Sequence, residues 1–146
     1  MNVDLSLTPH SGLATGAVYQ FVAGSWPGSI GDGLVLSEAA FDFVEPPFRR
    51  ALPNWNELSR YGVTDLSPSD CVALVAELRA AARRVVESQA SPEWTGYSGD
   101  AAPDDVRSAF DQDPERLDEL ATMFRGLADW LEAAKARSPS LMLLGI

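Results

Sequence analysis

The sequence predicts an α+β fold in which a mainly antiparallel sheet, including the C-terminal strand, carries two long helices on one face. Three observations support this. Short β-type segments come first, two long stretches with apolar residues every three or four positions follow, and the chain closes on the apolar run LMLLGI. At 146 residues, with no long linker or internal repeat, the chain is expected to form a single domain over residues 1–146.

The N-terminal third is expected to contribute three strands. Residues 2–7 alternate polar and apolar, the period of a half-buried strand, and residues 8–12 are interpreted as a turn. Residues 15–23 are rich in β-branched and aromatic side chains and form the second strand. A glycine-rich hairpin loop follows, with Asp32-Gly33 as its tight turn, and residues 34–36 form the third strand.

A first helix is predicted to begin at Glu38, with Ser37 as its N-cap. Pro46-Pro47 interrupts this helix, because proline lacks the backbone N–H and its ring crowds the preceding turn. A kinked or broken helix ending by Pro53 is therefore expected. Residues 61–66 then form a short connector or a fourth strand.

The first long helix is predicted over Ser67–Ser88, where the apolar residues share one face. Its start has the clearest boundary signals in the chain: Ser67 as the cap, Pro68 at the first helical position and Asp70 three residues after the cap. Cys71, the single cysteine, lies on the apolar face. It is expected to be a core residue and a poor nucleophile, because burial raises the pKa of a thiol.

The second half of the chain contains the longest irregular segment, residues 91–114, with a short helical turn around residues 104–110. A second long helix is predicted from Asp113, acting as an N-cap before Pro114, to about Arg137. The closing run Leu141–Ile146 is apolar at five of its six positions, as in a central strand covered on both faces.

The charge and hydropathy of the chain indicate which classes of binding partner and which location to expect. The net charge of −10, from 21 acidic and 11 basic residues, disfavours binding to nucleic acid or to anionic lipid and favours a basic protein partner. The alternative is that the acidity only maintains solubility. The first residues lack the pattern of a signal peptide, and no apolar run is long enough to span a membrane, so a cytoplasmic location is expected.

No strong catalytic or metal-binding motif is present. His10 is the only histidine and is interpreted as a surface residue, so no nucleophile–base pair stands out. Asp111, Asp113 and Glu115 alternate like the start of a calcium loop, but the required glycine and the final glutamate are missing. We expect no cofactor and no metal, and consider an enzyme less favoured than a binding protein.

One segment has a higher density of acidic residues than the rest of the chain. Residues 100–119 contain eight acidic residues against Arg107 and Arg116, and Trp94 and Tyr97 precede them in a polar loop. Acidic residues beside exposed aromatic residues suit a binder of a basic protein surface, the aromatics anchoring and the charge speeding association. The predicted contact comprises Trp94, Tyr97, Asp100, Asp104, Asp105, Asp111 and Asp113. The alternative is a solvated loop whose acids cap helices and whose aromatics pack on the core.

Three segments, FDFVEPPFRRALPNWNELSRYGVTDL (residues 41–66), LADWLEAA (residues 127–134) and LMLLGI (residues 141–146), resemble small bacterial immunity-type proteins. The resemblance implies a protein that binds and neutralises a toxin encoded beside it, which requires no active site. It supplies no functional motif to transfer residue by residue. A small carboxylate-dependent enzyme and an assembly subunit remain the alternatives.

Overall fold

The computed structural model describes residues 3–16, 18–25, 30–89, 93–96 and 103–145, without the side chains of residues 57, 58 and 103. In these parts of the chain the fold comprises five strands and four α-helices. The strands are β1 (Thr8–Ser11), β2 (Val18–Gly24), β3 (Ile30–Ser37), β4 (Val63–Leu66) and β5 (Leu141–Leu144). The helices are α1 (Glu38–Ala51), α2 (Pro68–Ser88), α3 (Pro103–Gln112) and α4 (Glu115–Arg137), and a 3-10 turn at Glu57–Arg60 precedes β4.

The sheet has the order β1-β3-β2-β5-β4, and all neighbouring strands are antiparallel. The C-terminal strand β5 lies inside the sheet between β2 and β4, with Leu143 opposite Phe21 on one side and Thr64 on the other. Leu141, Met142 and Leu143 are consecutive and all buried, so β5 is covered on both faces. The predicted α+β fold with an interior C-terminal strand is confirmed.

Two long helices, α2 and α4, pack on one another and on the sheet, as predicted. A less expected finding is α1, which contacts β2, β3 and α2 and is buried on nearly all sides. Its buried residues are Ala40, Phe41, Asp42, Phe43, Val44, Glu45, Pro47 and Phe48. The ring of Phe41 stacks on Tyr19 of β2 with centroids 4.0 Å apart, which fixes α1 directly on the sheet.

The prediction of a strand over residues 2–7 is wrong, and so is that of a turn over residues 8–12. The alternating burial exists, with Val3 and Leu5 buried and Asp4 and Ser6 exposed, but this segment packs along α4 rather than in the sheet. Arg116 of α4 donates to the carbonyl oxygen of Val3. The first strand, β1, instead occupies the predicted turn and pairs with β3.

The Asp32-Gly33 pair also differs from its prediction, because both residues lie inside β3 and not at a turn. Gly33 is required there for a close approach: a Cβ at this position would lie 2.8 Å from the carbonyl oxygen of Phe21. The strand begins at Ile30, so the loop between β2 and β3 is shorter than expected, and residues 26–29 lie outside the described parts.

Both predicted N-caps before α1 and α2 are confirmed. Ser37 Oγ accepts from the N–H of Ala40 at 3.1 Å, and Ser67 and Asp70 form a reciprocal capping box. The break expected at Pro46-Pro47 is absent, because α1 runs as one helix through both prolines to Ala51.

The start of α4 differs from its prediction. The helix begins at Glu115, the preceding Pro114 makes no side-chain cap, and Asp113 contributes its carbonyl oxygen, which accepts from the N–H of Arg116 at 3.0 Å. The Asp113 carboxylate is therefore not used as a cap. The predicted short turn around residues 104–110 is a ten-residue helix, α3. Among the described residues, no helix combines the length and apolarity needed to cross a membrane.

Candidate partner-binding surface

The acidic helix α3 is anchored by two apolar side chains one turn apart. Val106 and Phe110 are buried, and the Phe110 ring meets Phe43 of α1 edge-on at 5.7 Å. This anchoring leaves the opposite side of α3 in solvent, where the carboxylates of Asp104, Asp105 and Asp111 are exposed.

The first turns of α4 extend the same charge. Leu117 and Leu120 are buried in the core, whereas Glu115, Asp118 and Glu119 are exposed. We call these carboxylates, together with that of Asp113 and those of α3, the acidic surface: Asp104, Asp105, Asp111, Asp113, Glu115, Asp118 and Glu119.

Among the described residues, two arginines form ion pairs with the acidic surface. Arg107 is 4.0 Å from Asp104 in an exposed pair, and Arg116 is 2.8 Å from Glu119. In the described parts of the chain, the other five carboxylates of the acidic surface form no ion pair. By contrast, Glu77 and Glu132 on α2 and α4 each pair with an arginine from another helix.

The predicted contact residues are only partly brought together. Asp104, Asp105, Asp111 and Asp113 are exposed on or beside α3. Trp94 is half-buried and packs against the core, so only part of its ring can reach a partner. Tyr97 and Asp100 lie outside the described residues.

The connection that carries Trp94 is attached to the centre of α1. Pro46 has no N–H, so it cannot donate to the carbonyl oxygen of Asp42 four residues earlier, as a helix requires. The backbone N–H of Thr95 donates to that oxygen instead, at 3.1 Å. Thr95 Oγ1 also donates to Asp42 Oδ1 at 3.1 Å. The proline thus makes available the acceptor that attaches residues 93–96 to α1.

Asp42 belongs to a buried charged cluster that the sequence interpretation missed. Arg60 Nη1 lies 2.9 Å from Asp42 Oδ1 and 3.0 Å from Glu45 Oε1, with all three side chains at most 2% exposed. Trp55 Nε1 donates to Glu45 Oε2 at 3.1 Å. Because an unpaired buried charge is costly, each member of this cluster requires the others. The available signal was the pair Asp42 and Glu45, three positions apart inside the otherwise apolar residues 39–48 of α1.

Aromatic rings enclose the cation of this cluster. The guanidinium of Arg60 lies over the rings of Tyr19 and Phe41, 5.4 and 5.5 Å from their centroids. Arg60 Nε also donates to the Tyr19 hydroxyl oxygen at 2.9 Å. Burial raises the pKa of Tyr19, and the hydrogen bond from Arg60 opposes that rise. These contacts stabilise the packing of α1 on the sheet.

His10 and Cys71 show no catalytic arrangement. His10 is exposed on β1, with Nδ1 3.2 Å from the carbonyl oxygen of Gly12. Cys71 is 1% exposed, as predicted, and burial raises the pKa of its thiol. Within the described parts of the chain, no three His, Cys, Asp or Glu side chains are grouped closely enough to hold a metal ion.

Comparison with protein-family models, with curated proteins and with solved structures finds no match for this chain.

Proposed function

We propose that this protein is a non-catalytic binding protein that neutralises a cognate bacterial toxin by binding a basic face of it through the acidic surface. The observation that supports this is the concentration of exposed carboxylates without ion pairs among the described residues at positions 105, 111, 113, 115 and 118. Trp94 and Tyr97, which precede these acids in the sequence, and Asp100 complete the proposed contact.

A surface of this kind favours the association of the protein with a basic partner. Like charges held close together repel one another, and a basic partner relieves that repulsion while the field speeds its approach. A chain of net charge −10 also repels nucleic acid, which leaves a protein as the fitting counterpart.

The class of partner is suggested by the resemblance of residues 41–66, 127–134 and 141–146 to immunity-type proteins. Such a protein acts by stoichiometric binding. Stoichiometric binding requires a stable scaffold and an exposed complementary surface. Helix α3 meets both requirements, because Phe110 anchors it to α1 and its acidic side chains are exposed.

The test is binding to the protein encoded beside this one, together with protection of cells that express that protein. We expect a one-to-one complex whose affinity falls at least tenfold between low and high ionic strength, because salt screens exposed charges. Absence of both binding and protection would refute the proposal. Binding that is insensitive to salt would remove the acidic surface from it.

A matched pair of variants locates the contact. Asp105→Asn with Asp111→Asn neutralises two exposed carboxylates of α3, and Asp65→Asn with Glu87→Gln makes the same change in charge elsewhere. The first variant should weaken binding about tenfold or more, since exposed charges at an interface chiefly govern the association rate. The second should leave it nearly unchanged. Equal losses in both would indicate only a net-charge effect.

The alternative of a carboxylate-dependent enzyme gains little support. Asp42 and Glu45, two carboxylates that share one cation, are fully buried and hold Arg60, so a substrate could reach them only if the core opened. Their geometry suits a structural role.

A further inference from the structure

A second surface feature adjoins the acidic surface: an open groove between the extended segment Val3–Leu7 and one side of α4, with a volume of about 810 Å³. We call it the N-terminal groove. Apolar residues line both walls, with Val3, Leu5 and Leu7 on one and Met123 and Gly126 of α4 on the other. The remaining lining residues are polar or charged: Asp4, Ser6, Arg116, Asp118, Glu119 and Thr122.

The wall formed by residues 3–7 resembles the edge of a sheet. Val3 and Leu5 are buried, whereas Asp4 and Ser6 are exposed, which is the alternation of an extended chain. Within the described part of the protein, no hydrogen bond involves the backbone N–H or C=O of Leu5. The backbone of Leu5 can therefore pair with an added strand, whereas the carbonyl oxygens of Val3 and Asp4 already accept other hydrogen bonds.

This wall is held in place from both sides. Ser37 Oγ donates to the carbonyl oxygen of Asp4 at 2.9 Å, and Arg116 donates to the carbonyl oxygen of Val3. Arg116 also pairs with Glu119 and is only 18% exposed, so its charge is already committed. The groove is therefore preformed, and its one cation is not available to an incoming ligand.

The rim of the groove is anionic. Hydrogen bonds from the hydroxyl and then the backbone N–H of Ser6 lower the pKa of Asp4, which keeps that carboxylate ionised. Asp118 is exposed and forms no ion pair among the described residues. Since Asp118 also belongs to the acidic surface, the two features share one continuous negative border.

We propose that the N-terminal groove binds an extended segment of the protein partner in which basic and apolar side chains alternate. Apolar side chains on one face of such a segment contact the apolar residues of the two walls, and basic side chains on the other face meet Asp4 and Asp118 at the rim. A second copy of this chain is a poor occupant, because it carries the same net charge of −10. This inference rests on the proposed function and adds the chemistry of the partner.

The direct test is titration of the isotope-labelled protein with the peptide acetyl-Val-Lys-Val-Lys-Val-Lys-amide, followed by NMR. We expect shifts concentrated in residues 3–7 and 116–126, and none with the peptide in which glutamate replaces lysine. Equal responses to both peptides, or shifts confined to α3, would overturn the inference.

A groove-filling variant supplies the matched control. Thr122 is exposed on α4 and lines the groove, whereas Ala133 is exposed three turns further along the same helix face, about 16 Å away. Thr122→Trp should lower the affinity for the lysine peptide and for the neighbour-encoded protein at least tenfold. Ala133→Trp should change neither affinity. Asp4→Asn is a second variant, at an exposed rim site outside the acidic surface, in case Thr122→Trp disturbs folding.

The two proposals can fail separately. If the α3 variant Asp105→Asn with Asp111→Asn weakens binding of the neighbour-encoded protein and neither Thr122→Trp nor Asp4→Asn does, the groove inference is wrong and the proposed function stands. If the lysine peptide occupies the groove but the neighbour-encoded protein does not bind, the proposed function is wrong and the groove remains a site for basic extended segments.

Discussion

The backbone N–H of Thr95 lies 3.1 Å from the carbonyl oxygen of Asp42, the acceptor that Pro46 leaves without its helical donor. A proline inside a helix ordinarily costs about 3 kcal/mol, partly through that lost bond. Here a donor from a distant part of the chain replaces the bond. The proline is thereby tolerated in a buried helix, and residues 93–96 acquire a fixed attachment to α1.

The first prediction concerns this attachment. Thr95→Val keeps the backbone bond and removes the hydroxyl that donates to Asp42 Oδ1, so the free energy of unfolding should fall by about 1–2 kcal/mol. Urea denaturation measures the change. Thr122→Val, at an exposed position on α4, is the control and should stay within about 0.5 kcal/mol of the parent protein. Indistinguishable losses in the two variants would contradict the assigned role.

The second prediction concerns the buried cation. Arg60→Met removes the buried cation that bridges Asp42 and Glu45 and should reduce the free energy of unfolding by about 3–5 kcal/mol, because the remaining cation near Glu45, Arg49, is 3.8 Å away and part-exposed. Arg60→Lys should also be strongly destabilising, because one ammonium cannot reproduce the guanidinium bonds to both carboxylates and Tyr19.

The control for Arg60 is Arg83→Met, which removes an exposed arginine of α2 that has no ion pair among the described residues. Chemical denaturation of all three variants decides the matter. A loss below about 1 kcal/mol for Arg60→Met would mean that the carboxylates find other partners or water.

The third prediction concerns a close backbone approach at the end of β5. The N–H of Gly145 donates to the carbonyl oxygen of Gly62 at 2.7 Å, and a Cβ at position 145 would overlap the carbonyl oxygen of Arg60. Since backbone has to move to accept it, Gly145→Ala should lower the melting temperature by several degrees, equivalent to about 1–3 kcal/mol.

Gly126→Ala is the comparison for this change. Its Cβ would meet only the mobile end of the Leu7 side chain, at 3.0 Å, and alanine favours the helix by about 1 kcal/mol. We expect this variant to be neutral or more stable than the parent. If calorimetry ranks the two substitutions in the opposite order, the close approach at Gly145 is not a constraint on stability.

The fourth prediction is a pH dependence. Burial raises the pKa of Cys71 above its ordinary value of 9.0, Asp70 adds to the rise and Lys135 opposes it. Because the folded thiol holds its proton more tightly than the unfolded one, its contribution to stability is complete below pH 9 and is lost as the pH rises towards the folded pKa. The added slope cannot exceed about 1.4 kcal/mol per pH unit for one thiol.

Urea denaturation at about pH 7, 8, 9 and 10 should therefore show a steeper fall of the free energy of unfolding with pH for the parent protein than for Cys71→Ala. The comparison is of slopes, since the alanine variant starts from a different stability. Parallel curves for the two proteins would show that the thiol does not titrate differently on unfolding.

The parts of the fold predicted from sequence were those with local signals. The Ser67 cap, with its capping box to Asp70, depends on residues within one turn, so the start of α2 was predictable. The consecutive apolar residues of β5 similarly require cover on both faces wherever the strand lies. The prediction of a strand over residues 2–7 failed because alternation reveals which side chains are buried, but not whether a strand or a helix covers them.

The candidate site was predictable to a similar extent. Exposed carboxylates such as Asp105 and Asp111 follow from the cost of burying charge, so their placement required no tertiary information. The burial of Asp42 and Glu45 was missed because their partner, Arg60, lies 15 or more positions away and meets them only in the folded protein. The half-buried state of Trp94 likewise depends on the docking of Thr95 to α1.

The interior position of β5 has a consequence for folding. Its pairing joins Leu144 to Gln20, about 120 positions apart in the chain, so the sheet is completed by contacts of very high sequence separation. Until that pairing forms, β2 and β4 each present an unpaired edge to other molecules. The strand that makes the sheet continuous thus makes its formation slow, and it leaves aggregation-prone intermediates whenever it fails to insert.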